Sequence, residues 1–254
     1  MAFRYVEFEE AKAASGLRMI VVGGVPSPWG EAAKGLLHVK GIDWLATRLR
    51  YDDKTMREWS ATLSAPVAVL NEDAPVAISR DIALLAERIA PSPPLLPDEH
   101  RDDILAFIDE IAGEGGLGWD RRVHLVEASL NGEAGFPEQV AQYLAAKYGH
   151  SAEVAARAGA KVIDRLGALA ARLRAQEAAG SGYYFGAGLT AADVYSAAFM
   201  ALFDPLPEDQ CAMNPATRGA FSLLDEPTRA ALDPVLLAHR DRIYRDHLAL
   251  PLAL

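Results

Sequence analysis

A short apolar run that passes into a helical pattern is the clearest signal near the start of the chain. Residues 19–22 (MIVV) are apolar and rich in β-branched side chains, which predicts a buried strand. Glycine and proline interrupt this pattern at residues 23–26, and from Pro28 apolar residues recur at helical spacing as far as Gly41. The pattern therefore places Ser27 where a buried strand gives way to a helix.

The alternation of strands and helices continues through the first part of the chain. Residues 43–50 and 66–70 predict two further strands, separated by an irregular or short helical segment at 51–63. After the turn NEDA, residues 75–78 predict a fourth strand, and Ser79 is predicted as the N-cap of an amphipathic helix. The predicted order is βαβ followed by ββα.

Beyond a proline-dense segment, only helical patterns follow. Residues 91–97 (PSPPLLP) predict an extended linker. Helices are predicted at residues 98–112, 136–148, 153–178, 189–203 and 234–248, with glycine-rich loops at 113–118 and 180–188. We therefore predict an α/β domain over 1–90, in which residues 1–17 form an extension with a short helix at 9–15, and an all-helical domain over 98–254.

Composition and charge narrow the classes of function. The formal net charge of −10 argues against a nucleic-acid partner and against an anionic membrane surface. The single cysteine, Cys211, excludes an intrachain disulfide and a cysteine-rich metal site, and the six histidines show no metal-ligand spacing. The first ten residues lack a signal-peptide pattern, and no apolar run approaches membrane-spanning length. We expect a cytoplasmic protein without a bound metal.

Three motifs occur in a characteristic order along the chain. They are SPWGEAAKGLLHVKGI (27–42), SAPVAVL (64–70) followed by a hairpin and Ser79, and YFGAGLTAADVYSAA (184–198). With their spacing, they give residues 17–248 a resemblance to the cytosolic glutathione S-transferase superfamily, in its bacterial form with a serine in the first motif. The resemblance implies a thioredoxin-like N-terminal domain, an all-helical C-terminal domain, glutathione as co-substrate and a homodimer.

The first motif carries the implied chemistry. Ser27, followed by Pro28 and Trp29, matches the serine that hydrogen-bonds the sulfur of glutathione in the family. The thiolate is the nucleophile, and a hydroxyl donor together with a helix N-terminus favours that anion. The alternative is that Ser27 only caps the helix.

The second motif implies contacts with the rest of glutathione. Pro66 matches the cis-proline of the family, which leaves the backbone of Ala65 free to pair with an extended peptide. Ser79 matches the serine whose helix N-terminus receives the γ-glutamyl carboxylate. Without the resemblance, the sequence favours Pro66 as the start of an edge strand over a cis-proline.

The chain departs from the family pattern at Ile78, where the family usually has an acid or a glutamine. Asp81 lies two residues after Ser79 in the same helical turn and either meets the γ-glutamyl ammonium or complements the helix dipole. Lys34 and Arg18 are the nearest cations in sequence that could meet the glycine carboxylate. We expect both of these side chains on the solvated surface.

The third motif predicts a structural element. Thr190 and Asp193 have the spacing of a capping box, to which we assign a role in folding and none in chemistry. Aromatic side chains in the helical region line an apolar pocket for the second substrate or belong to the ordinary core. These candidates are Trp119, Tyr183, Tyr184 and Phe203.

The predicted function is conjugation of the glutathione thiolate to a small apolar electrophile. Two alternatives stay open: another glutathione-dependent enzyme, such as an isomerase or dehalogenase, and a non-catalytic binding protein on the same fold. Ile78 is the feature that favours the binding protein. Disulfide exchange is disfavoured because the thiol-transferring classes have cysteine at the position of Ser27.

Overall fold

A mixed four-stranded sheet is followed by a long succession of helices. The structure is a computed structural model that describes residues 3–62, 64–132 and 135–254. The strands are β1 (Phe3–Tyr5), β2 (Leu17–Val21), β3 (Trp44–Arg48) and β4 (Val67–Leu70). The helices are α1 (Phe8–Ala13), α2 (Pro28–Val39), α3 (Lys54–Ser60), α4 (Ser79–Ile89), α5 (Arg101–Ala112), α6 (Leu117–Leu130), α7 (Glu138–Lys147), α8 (Ala152–Ala178), α9 (Ala191–Phe199), α10 (Pro215–Phe221), α11 (Glu226–Ala231) and α12 (Pro234–His247).

The sheet has the order β1-β3-β2-β4, with β2 parallel to β3 and antiparallel to β4. Ile20, near the end of β2, lies opposite Val67, the first residue of β4. One edge of the sheet therefore contains the ends of β2 and β3 and the beginning of β4. We call this the upper edge.

The predicted fourth strand is wrong. Residues 75–78 make only an isolated bridge, in which Val76 and Ala68 exchange two backbone hydrogen bonds of 2.8 Å. Pro75 has no N–H to extend the ladder. The fourth strand of the sheet is β1 instead, within the predicted extension 1–17.

The extension is thus part of the sheet. β1 runs parallel to β3, and the ring of Phe3 stacks on Trp44 at a centroid distance of 4.4 Å. The short helix predicted at 9–15 is present as α1, and the segment 51–63 contains α3, although Leu63 lies outside the described residues. β1 was not predicted because its three residues, which are aromatic or basic, show no strand pattern by themselves.

The helical part contains three helices that the pattern did not predict: α6, α10 and α11. The predicted loop at 113–118 ends early because α6 begins at Leu117. The inward face of α6 includes the charged residues Arg121 and Arg122, which conceal its apolar periodicity. The other two helices have only seven and six residues, too few for a periodic pattern.

One hydrophobic core continues from the sheet into the helices. α2 passes close to α9, since a Cβ added at Gly35 would lie 2.8 Å from Val194 Cγ1. Lys40, at the end of α2, donates to the carbonyls of Ala90 and Pro93 and so holds the predicted linker against the sheet region. The predicted thioredoxin-like arrangement followed by helices is confirmed, and the exact domain boundaries stay predictions. No helix within the described ranges is long and apolar enough to cross a membrane.

Candidate functional site

Three of the predicted site segments meet at the upper edge of the sheet. β2 leads through residues 22–26 to Ser27 and the start of α2. β4 begins directly after Ala65 and Pro66. The bridge between Val76 and Ala68 then carries the chain back, antiparallel to β4, to the start of α4. The topology therefore brings two helix N-termini and the turn before β4 to one place.

Two nearly buried serine hydroxyls lie at this edge, and one of them has no partner among the described residues. Ser27 and Ser79 are only 8% and 9% exposed. Ser27 occupies the N-cap position of α2 without accepting an N–H from the helix, and its hydroxyl is not hydrogen-bonded to another described residue. The Ser79 side chain is hydrogen-bonded to the hydroxyl of Tyr195. A hydroxyl so nearly buried usually has a partner, so that of Ser27 is available to a ligand, and that of Ser79 can accept a further hydrogen bond beside the one with Tyr195.

The prediction that Ser79 caps α4 is wrong by one residue. Ile78 occupies the N-cap position, since its carbonyl accepts the first helical hydrogen bond from the N–H of Ile82 at 2.9 Å. Ser79 is the first residue of the helix, and its carbonyl accepts a hydrogen bond of 2.8 Å from the Tyr195 hydroxyl. The Ser79 hydroxyl therefore lies among the free N–H groups of the first turn.

The turn before β4 offers backbone groups. The Ala65–Pro66 peptide bond is cis, as predicted, and Pro66 is buried. The N–H and C=O of Ala65 make no hydrogen bond to another described residue. An extended peptide could pair with both groups in the manner of an added strand.

Trp29 and Pro28 have structural contacts. The indole N–H of Trp29 donates to the Ala112 carbonyl at 2.7 Å, at the end of α5, and its ring packs edge-on against Phe199 at 4.9 Å. Pro28 is buried as the first residue of α2. The only polar side-chain atom of Trp29 is thus used to hold α2 against the helical part.

The position before Ser79 has no polar group. Ile78 is 60% exposed, which is unusual for a large apolar side chain. Asp81, in the first turn of α4, is partly exposed and forms no ion pair with a described residue. Both interpretations of Asp81, as a ligand for an ammonium group or as a complement to the helix dipole, stay open.

The expectation that Arg18 and Lys34 lie on the surface is wrong. Arg18 is buried in the central strand β2 and donates to the carbonyls of Gly16 and Asn71 at 3.0 and 2.9 Å. Lys34 is buried on α2 and pairs with Glu31 at 2.5 Å. Burial raises the pKa of Glu31, and the charge of Lys34 opposes that shift. Because β2 and α2 are covered on all sides, cations placed on them need partners from within the fold.

The four candidate pocket aromatics are separated by the fold. Tyr184 and Phe203 belong to the core, and Tyr183 pairs through its hydroxyl with His247 at 3.0 Å. Of the four, only Trp119 shares a neighbour with Trp29, since the rings of both pack against Tyr148. A pocket lined by all four aromatics is therefore wrong.

Sequence reasoning missed a group of polar side chains on the helical side of this region. Arg122 of α6 is hydrogen-bonded to the hydroxyl of Tyr148, next to Lys147 and Tyr51. The available signal was the sequence WDRR, two consecutive arginines directly after a tryptophan. It carried little weight because residues 119–135 were assigned to no predicted element.

The predicted capping box of α9 is present and fully enclosed. The Asp193 carboxylate is 0% exposed and accepts hydrogen bonds from the N–H and hydroxyl of Thr190, both at 2.8 Å. It also accepts from the Tyr184 N–H at 2.9 Å and lies 3.0 Å from His239 Nε2. No acceptor capacity is left for a ligand, which agrees with a role in folding.

Comparison with solved structures finds this architecture in proteins of several bacteria. A glutathione S-transferase of Methylobacterium radiotolerans, in complex with glutathione sulfonate, is 22% identical over 92% of this chain and 93% of its own, with a TM-score of 0.60. A glutathione transferase family member of Pseudomonas fluorescens, with two glutathione bound, is 14% identical over 95% and 97%, with a TM-score of 0.63. The chain has the glutathione S-transferase fold.

The likeness extends over almost the whole chain. A glutathione S-transferase of Methylobacillus flagellatus with glutathione bound covers 91% of this chain and 95% of its own, at 14% identity and a TM-score of 0.61. By sequence, no protein-family model and no curated protein matches. At this level of identity, the shared property is the glutathione S-transferase fold, and the chemistry has to be argued from the residues.

Proposed function

We propose that this protein is a glutathione-dependent transferase that joins the thiolate of glutathione to an electrophilic carbon of a small substrate. The observation that carries the proposal is the nearly buried Ser27 hydroxyl, which has no partner among the described residues and lies at a helix N-terminus on the same sheet edge as Ser79. Bound glutathione or glutathione sulfonate in the similar solved structures supports it.

Ser27 acts on the sulfur. Its hydroxyl donates a hydrogen bond to the thiolate, while the first turn of α2 contributes free N–H groups and the positive end of the helix dipole. Lowering a thiol pKa by about two units requires about 2.7 kcal/mol, within the range of these two effects together. The thiolate forms the C–S bond, the leaving group departs with its electron pair, and the thiol proton passes to solvent.

The other contacts bind the peptide. The free N–H and C=O of Ala65 pair with the cysteinyl unit, and the start of α4 with the Ser79 hydroxyl receives the γ-glutamyl carboxylate. Asp81 is the nearest carboxylate on α4 for the γ-glutamyl ammonium. A homodimer in the cytoplasm is part of the same proposal.

Direct binding tests this function. The pure protein should be retained on immobilised glutathione, be eluted by the free tripeptide, and catalyse conjugation of a chlorodinitrobenzene. If calorimetry detects no binding at millimolar glutathione, the proposal is wrong. An isomerase or a dehalogenase would use the same thiolate and is distinguished by its product.

A non-catalytic glutathione-binding protein is the second candidate. The exposed Ile78 favours it, because an apolar side chain replaces a group that would contact the γ-glutamyl ammonium. This candidate predicts binding of glutathione without turnover of any electrophile. Equal binding by the parent and by Ser27→Ala, with no activity in either, would support it over the transferase.

A further inference from the structure

Arg122, on α6, is a buried cation without a carboxylate partner among the described residues. It is 7% exposed, and its guanidinium carbon lies 4.5 Å from the centroid of the Phe221 ring. It donates to the hydroxyl of Tyr148, whereas its Nε has no hydrogen-bond partner in the part of the chain that the structure describes. The ion pairs among the described residues do not include it. A buried, unpaired charge destabilises the folded protein, so the presence of Arg122 at this position needs an explanation.

The preceding arginine shows the ordinary alternative. Arg121 is also buried, but it donates to the backbone carbonyls of Leu202 and Leu223 and contacts His124. Its hydrogen bonds hold α6 against neighbouring segments, so its burial is explained by structure alone. Arg122 has no comparable set of carbonyl partners among the described residues.

A second unpaired cation lies beside Arg122. The Lys147 ammonium is 5.7 Å from the centroid of the Tyr148 ring and makes no ion pair within the described ranges. Burial and the positive charge of Arg122 lower the pKa of Lys147. Two neighbouring cations that no described carboxylate pairs with are notable in a chain whose net charge is −10. An anion bound between them would relieve both charges.

This group lies next to the proposed reaction centre. The Tyr148 ring is 6.1 Å from the ring of Trp29, which follows Ser27 by two residues. Tyr51 lies on the other side of this group, three residues after the end of β3 at the upper edge. Its ring packs against that of Tyr143 at a centroid distance of 5.3 Å. Tyr51 and Tyr143 are both about half-exposed, so solvent reaches this side.

We propose that Arg122 and Lys147, with the hydroxyls of Tyr51 and Tyr148, bind the carboxylate of the electrophilic substrate. The guanidinium has the fork geometry that suits a carboxylate, and the surrounding rings of Trp29 and Tyr148 suit an aromatic or unsaturated body. The substrate class is therefore a small aromatic or unsaturated carboxylic acid. The contacts described above support the carboxylate site without the proposed function, whereas the electrophilic character of the substrate rests on the proposed function.

Binding without glutathione tests the site separately from turnover. Calorimetry on the full chain would compare a chloronitrobenzoate with the matching chloronitrobenzamide, which has the same ring and no charge. We expect the acid to bind about tenfold or more tightly than the amide, and Arg122→Met to abolish that preference. Ser27→Ala should retain it. Equal affinity of the parent for acid and amide would overturn the proposal.

Further variants test whether the result is due to misfolding, and whether the bound carboxylate belongs to glutathione instead of the second substrate. Lys147→Met changes a partly exposed residue, so it should fold and should lose part of the preference even if Arg122→Met does not fold. Glutathione and its glycine ethyl ester form the second comparison. If Arg122→Met weakens binding of glutathione and leaves the ester unaffected, the bound carboxylate belongs to glutathione and the substrate assignment is wrong. A parent that prefers the acid but turns over nothing supports this site while contradicting the transferase.

Discussion

The start of α9 and the starts of α2 and α4 show opposite treatments of polar groups at a helix N-terminus. At α9, Asp193 is fully buried, and its carboxylate contacts four donor groups on three residues. At α2 and α4, Ser27 and Ser79 are almost as well buried, yet among the described residues the Ser27 hydroxyl has no partner and the Ser79 hydroxyl has only that of Tyr195. Burial is similar in the two regions and hydrogen bonding is not.

The difference separates structural from functional polar groups. A network that uses every acceptor stabilises the fold and has nothing to offer a ligand. Unpartnered donors near the surface are tolerated where a ligand completes them. We therefore expect substitutions at α9 to change stability, and substitutions at α2 and α4 to change binding and turnover.

The largest effect on stability is expected from Asp193→Ala. The variant leaves His239 and two backbone N–H groups without an acceptor in the core, which should lower the free energy of unfolding by about 3–5 kcal/mol. Urea unfolding measures the loss. The matched control is Asp81→Ala, also an acid in the first turn of a helix but partly exposed and without an ion pair among the described residues. Its effect on stability should be below about 1 kcal/mol.

A folded, equally stable Asp193→Ala protein without activity would reverse this assignment. It would show that the buried carboxylate serves chemistry rather than folding. Substitutions at the start of α9 and at the starts of α2 and α4 would then no longer differ in the property that they change. Comparing the urea midpoint and the slope of the transition separates a stability loss from a change in compactness.

Ser27→Ala should show the opposite profile. Because its hydroxyl makes no cap hydrogen bond, stability should change by less than about 0.5 kcal/mol. Losing a hydrogen bond to the thiolate should lower turnover about ten- to a hundredfold. Steady-state kinetics with a chlorodinitrobenzene at neutral pH, together with urea unfolding, measure both quantities.

Ser151 provides the matched control for that variant. Its hydroxyl accepts the N–H of Val154 at 3.2 Å and caps α8. Ser151→Ala should therefore lose about 1 kcal/mol of stability and keep its turnover. If Ser27→Ala behaves like Ser151→Ala, Ser27 is only a cap.

Ile78→Glu tests whether the start of α4 binds glutathione, because it adds a carboxylate there. The side chain is exposed, so the substitution should not disturb the core. A carboxylate within reach of the γ-glutamyl ammonium should tighten glutathione binding about tenfold, which equals about 1.4 kcal/mol and raises the melting temperature in saturating glutathione by about 3–5 °C. Val154→Glu, at an exposed position on α8, should leave the ligand-dependent shift unchanged.

The sequence predicted the elements that have strong periodicity and missed those whose pattern is masked. The strand before Ser27 and the Asp193 capping box were predicted from local residue chemistry, and the cis-proline turn from the family resemblance. α6 was missed because buried arginines replace apolar residues on its inner face. The burial of Arg18 and Lys34 was missed for the same reason, since charge alone predicts exposure.

Long-range packing accounts for the remaining differences in the site. Nothing in the sequence near Trp29 shows that its N–H donates to a carbonyl in α5, or that α7 brings Tyr143 against Tyr51. Such contacts join segments far apart in the chain. Their partners follow from the tertiary fold and not from any local spacing.

The smallest expected effect concerns a second carboxylate–histidine pair, Glu127 and His150, which lie 2.6 Å apart. Like Asp193 and His239 it joins an acid to an imidazole, but Glu127 is considerably exposed. Hydrogen bonding to His150 lowers the pKa of Glu127 from its ordinary value of 4.5. The unfolded chain therefore binds more protons than the folded protein below that pH, so the pair stabilises above about pH 4.5 and its contribution is lost as the pH falls through the folded pKa.

His150→Gln should thus cost less than about 1 kcal/mol at about pH 5, and the difference from the parent should shrink towards about pH 3. Urea unfolding at both pH values measures this difference. A loss as large as that of Asp193→Ala would contradict the view that burial and complete hydrogen bonding decide what such a pair contributes. A difference that grows on acidification would contradict the direction of the Glu127 shift, because an acid with a lowered folded pKa can only lose stabilisation as it takes up its proton.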